Sequence, residues 1–120
     1  LVELLAVRGD SGAALVFFPS DSGTVESAVY PVFPPTETPE PRPGVLAALR
    51  WFGHDNIFAW YGSHGTVRLD AARDRAAGTV DLVMVLHDGF DSLKVTGRFR
   101  DVRLERAPAG CGAELRRDYR

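Results

Sequence analysis

A chain of 120 residues, 45% hydrophobic and 25% charged, has the size and balance of one globular domain that buries a core without help from metal or disulfide. Its formal net charge of −2 and pI near 5.9 supply no bulk attraction to polyanions, so a nucleic-acid partner is not expected. One cysteine, Cys111, excludes an internal disulfide, and no apolar run approaches the ~20 residues of a helical membrane span.

Residues 2–7 are a short apolar run that stops at Arg8-Gly9-Asp10-Ser11-Gly12, a turn by composition. Residues 13–18 follow, apolar on both parities, as in a covered strand or a barrel wall. The two predict an opening hairpin. After a second turn at 19–23, residues 24–30 alternate weakly, Val25 and Val29 against Glu26, Ala28 and Tyr30. Residues 31–44 hold six of the eight prolines: Pro31, Pro34, Pro35, Pro39, Pro41 and Pro43. Proline has no N–H for a sheet ladder, so a long extended loop within one domain is expected here.

Leu46, Leu49 and Phe52 recur at helical spacing, and Ala47-Ala48 favours helix. At most a short helix is expected near 45–52. A turn at 53–56, a strand at 57–61 rich in β-formers and a further turn at Gly62-Ser63-His64 come next.

From Gly65 to Glu105 the pattern predicts three strands, at 65–69, 78–87 and 92–104. Val80, Leu82, Met84 and Leu86 share one face of the second. In the third, Leu93, Val95 and Phe99 point in, while Lys94, Thr96, Arg98 and Arg100 point out. Val102 and Leu104 then fall on the polar register, which calls for one extra residue, a β-bulge, near Arg100-Asp101. Gly97 is on the inward register, where its missing side chain is expected to admit a neighbouring ring or backbone. The sum is an all-β, mainly antiparallel fold: a β-sandwich or flattened β-barrel of about 7–8 strands. It forms a single domain over 1–106, with a loosely ordered tail at 107–120.

Asp-Ser-Gly occurs at Asp10 and again at Asp21. Aspartic proteases bring two such loops together so that two carboxylates share a proton. There the motif follows an apolar strand directly, whereas here Arg8-Gly9 and Pro19-Ser20 intervene; successive hairpin turns account for both copies. His54, His64 and His87 stand 10 and 23 residues apart on separate turns, unlike the short spacings of zinc sites. No metal, cofactor or catalytic set is expected. Lys94, Arg98, Arg100 and Arg103 make an outward basic stripe, offset by Asp91, Asp101 and Glu105, that reads as a solvated face. Trp51, Phe52, Phe58, Trp60 and Tyr61 place five of the twelve aromatics within eleven residues. Such a cluster plugs a core or lines a pocket, which makes Trp51, Phe58, Trp60 and Tyr61 the candidate ligand-binding residues.

Gly65-Thr66-Val67-Arg68-Leu69, Gly78-Thr79-Val80-Asp81-Leu82 and Val95-Thr96-Gly97-Arg98-Phe99 together resemble the strand pattern of uncharacterised bacterial secreted and lipoprotein β-domains. The resemblance covers about a third of the chain and carries no catalytic residues. It implies an extracytoplasmic location, in the periplasm or at the cell surface, with a lipid anchor on a segment preceding Leu1. The expected function is that of a non-enzymatic binding or structural module of an envelope or secreted protein, with an unknown protein or small molecule as partner. The alternative is a carrier of a small hydrophobic ligand or sugar in an aromatic-lined barrel cavity. A small aspartic-type hydrolase is the remote alternative.

Overall fold

The computed structural model describes residues 1–19, 24–36, 43–52, 57–87 and 89–105. Asp21, His54, Cys111 and the expected tail at 107–120 lie outside the described residues. Seven strands are present among those described: β1 (Val2–Arg8), β2 (Ser11–Phe18), β3 (Ala28–Pro31), β4 (Gly44–Phe52), β5 (Ile57–Ala72), β6 (Arg75–Leu86) and β7 (Ser92–Arg103). They form one antiparallel sheet in the order β1-β2-β4-β5-β6-β7, with β3 paired to β5 beyond the stretch that β4 covers. The sheet curls into a half-barrel. The all-β expectation therefore holds, as a single curved sheet.

The helix anticipated near 45–52 is strand β4, held between β2 and β5. Val45 and Ala47 are buried on its concave side, while Leu46 and Ala48 are half-buried on the other. A segment apolar on both faces and paired on both edges gains more from the sheet than from the weak helical preference of two alanines.

The turn anticipated at Gly62-Ser63-His64 is a β-bulge. Gly62 stands opposite Met84 and His64 opposite Val83, so β5 runs unbroken through 16 residues. The extra residue keeps Trp60 and Gly62, before it, on the same face as Gly65, Val67 and Leu69 after it. Gly65 has φ of +123°, and a Cβ there would lie 2.5 Å from the Asp81 carbonyl oxygen. Only glycine fits.

On the far side of β6 the bulge expected near Arg100-Asp101 is present. Phe99 pairs with Gly78 and Val102 with Ala76, which leaves one extra residue on β7. Asp101 takes φ of +55°, and Val102 and Leu104 return to the core. Two bulges flanking one strand increase its twist and help bend the sheet.

Strand β3 is shorter than the 24–30 segment anticipated. Its pairing with β5 is extended by a side chain: Ser27 Oγ accepts from the Ala71 N–H at 2.8 Å and donates to the Ala71 carbonyl at 3.1 Å. Tyr30 is buried edge-on to Phe17, with ring centroids 5.2 Å apart. Its hydroxyl accepts from the Glu26 N–H at 3.0 Å, so the buried phenol is satisfied. The first residues of the Pro-rich loop belong to the core, since Val32 and Phe33 are buried. Their N–H groups donate to Gly65 and Val45 carbonyls at 2.9 and 3.0 Å, tying the loop across β4 and β5. Phe17, Tyr30, Val45, Val67 and Leu69 thus close one end of the half-barrel. Toward the other end the concave face opens.

Candidate functional site

The open part of the concave face is a trough of about 300 Å³. One wall comes from the first half of the chain, with Leu4 on β1, Leu15 on β2, and Ala47 and Leu49 on β4. The other comes from the last third, with Val80, Leu82 and Met84 on β6, and Val95, Gly97, Phe99 and Val102 on β7. Alternation of apolar and polar residues puts each of these on the inward register. Leu82 and Met84 are buried and make the floor.

The space exists because several inward positions carry little or no side chain: Ala6, Ala13, Ala47 and Gly97. Gly97 was expected to receive a ring or a backbone. Instead, a Cβ built there meets nothing within 4 Å, so the absent side chain is part of the trough. Interiors ordinarily fill such positions at close packing, and lining atoms without neighbours forgo dispersion contacts.

The trough is apolar except at one border. There Arg98, on the edge strand β7, contributes to the lining, while its register opposite exposed Thr79 puts its side chain on the convex side. Lys94 pairs with Asp81 at 3.6 Å, Arg103 with Glu105 at 3.9 Å and Arg75 with Asp101 at 3.5 Å. Among the described residues, Arg98 and Arg100 have no carboxylate partner. The basic stripe read as a solvated face is thus half neutralised and half unpaired.

The four aromatic candidates do not line this trough. Trp51 and Phe58 oppose each other across β4 and β5 near the strand ends, 59% and 38% exposed. Trp60 is half-buried and packs against the core. Tyr61 points to the convex side, opposite Ala48 and Val85. Trp60 and Tyr61 border a second depression, of about 390 Å³, beside the Gly9-Asp10 turn and Arg50. From sequence, Leu82, Met84, Val95 and Phe99 were legible as inward-facing, but nothing marked them, or Leu4, Leu15 and Leu49, as lining a site. The signal available was small residues recurring on inward registers that face large aliphatic ones.

Asp10 is exposed in the β1–β2 turn. His64, on the bulge, is exposed and within 3.3 Å of Ser63 Oγ; His87 is exposed after β6. Among the described residues no three of His, Cys, Asp or Glu cluster as metal ligands, and no helix is long and apolar enough to cross a membrane. The chain matches no protein-family model, no curated protein and no solved structure.

Proposed function

We propose that this chain is a non-enzymatic binding module that holds a small hydrophobic ligand in its concave trough. The observation that carries the reading is an inner face that is apolar from Leu4 to Val102 yet unfilled around Gly97. At about 300 Å³ the space falls at the small end of the ~300–1,000 Å³ usual for ligand sites. Each methylene a ligand buries there contributes about 0.8 kcal/mol, roughly fourfold in affinity. The resemblance of the β5–β7 strands to secreted and lipoprotein β-domains supports an extracytoplasmic setting for this binding.

A neutral apolar fluorophore, N-phenyl-1-naphthylamine, tests the reading. Its emission is expected to rise with the wild-type protein and with Trp51→Ser. It is expected to stay flat with Gly97→Leu, whose side chain enters the open space, while circular dichroism shows that variant folded. Undiminished binding by Gly97→Leu, or loss in Trp51→Ser, would move the site to the aromatic end and end this reading.

A further inference from the structure

We propose that the chain forms a twofold dimer in which β1 of each copy pairs antiparallel with β1 of the other, centred on Leu5. The turn between β1 and β2 decides which backbone groups face the free edge. Gly9 and Asp10 are the whole connection between the paired residues Arg8 and Ser11, and Gly9 has φ of +60°, as the first central position of a type II′ hairpin turn requires. A two-residue hairpin closes on a hydrogen-bonded pair, so Arg8, Ala6, Leu4 and Val2 direct their N–H and C=O groups to β2. Glu3, Leu5 and Val7 direct theirs the other way, where no strand stands beside β1 among the described residues. No proline or bulge interrupts this edge, and Val7 on it is 50% exposed. Such an edge is a template for another strand.

The occupant is a second copy because the strand complements itself. A twofold axis perpendicular to the sheet keeps concave beside concave and sets odd residues against odd ones. Centred on Leu5, it lets Leu5 exchange both bonds with the partner's Leu5 and sets Val7 against the partner's Glu3. On the concave side Leu4 stands against the partner's Ala6, large against small, so the apolar wall of the trough continues across the axis. The two Glu3 carboxylates are held at opposite ends of the joint. A Leu4 centre would set them diagonal to each other, a like-charge contact. An Ala6 centre would leave Glu3 opposite Gly9, beyond the end of the strand. The pairing does not depend on the trough holding a ligand.

Sedimentation velocity of the full chain at rising concentration is expected to show monomer passing into dimer and no larger species. Leu5→Lys and Leu5→Glu each set like charges face to face at the axis and are expected to weaken the dimer about tenfold or more. Mixed in equal amounts, the two are expected to recover a heterodimer. Leu5→Pro deletes an outward N–H and no bond to β2, so it is expected to stay folded by circular dichroism and to be monomeric. A wild type that stays monomeric at every concentration, or a dimer that folded Leu5→Pro and both charged variants leave unchanged, overturns the proposal. Weakened variants that do not recover on mixing overturn the Leu5-centred pairing.

Discussion

Two glycines on the same face show how local surroundings set the sign of a substitution. Gly78 lies where β5, β6 and β7 press together: a Cβ there would collide with the Arg68 carbonyl oxygen and come within 2.7 Å of Phe99 Cζ. Neither the paired backbone nor the packed ring can withdraw cheaply. Gly78→Ala is expected to cost about 2 kcal/mol or more in urea denaturation. Gly97, across the sheet on β7, would meet open space. Gly97→Ala is expected to gain about 0.5–1 kcal/mol in the same assay, because a strand glycine gives up more backbone freedom on folding. Composition shows two glycines in strands. Only the distance to the next atom tells them apart.

The bulges decide which side chains reach the interior. Deleting Asp101 would remove the extra residue between Phe99 and Val102 and turn Val102 and Leu104 outward. A loss of about 2–4 kcal/mol is expected, read from the shift in the thermal midpoint. This bulge was legible in the sequence, because apolar residues change parity at Arg100-Asp101. The one in β5 was not. Gly62-Ser63-His64 has the composition of a turn, and nothing local distinguishes a chain that reverses from one that bulges and continues. Strand β4 failed for a related reason. A segment apolar on both faces loses period-2 contrast, and the chance spacing of Leu46, Leu49 and Phe52 then imitates a helix. The inward faces of β6 and β7 were readable residue by residue. That they enclose an empty volume was not, since this depends on Leu4, Leu15 and Leu49, far away in sequence, standing across the curl.

At the scale of the molecule, the trough separates a wall built by β1, β2 and β4 from one built by β6 and β7, joined through β5. A ligand that touches both walls binds only the folded chain. At a hundredfold excess over its dissociation constant it is expected to add about 2.7 kcal/mol of stability. Calorimetry should show the melting temperature climbing with N-phenyl-1-naphthylamine for the wild type and hardly moving for Gly97→Leu.

The open margins of the curved sheet are unequal. Strand β7 is interrupted by its bulge and studded with arginine, and β3 is four residues long and ends in proline; both resist the addition of a foreign strand. Strand β1 is a seven-residue edge carrying Leu4, Leu5 and Val7, and its outer side has no strand beside it among the described residues. Among the described edges, β1 alone lacks such a guard, so self-association is expected to use it. Two copies related by a twofold axis would use that edge up in each other, and sedimentation at rising concentration is expected to stop at a pair rather than run on into fibres.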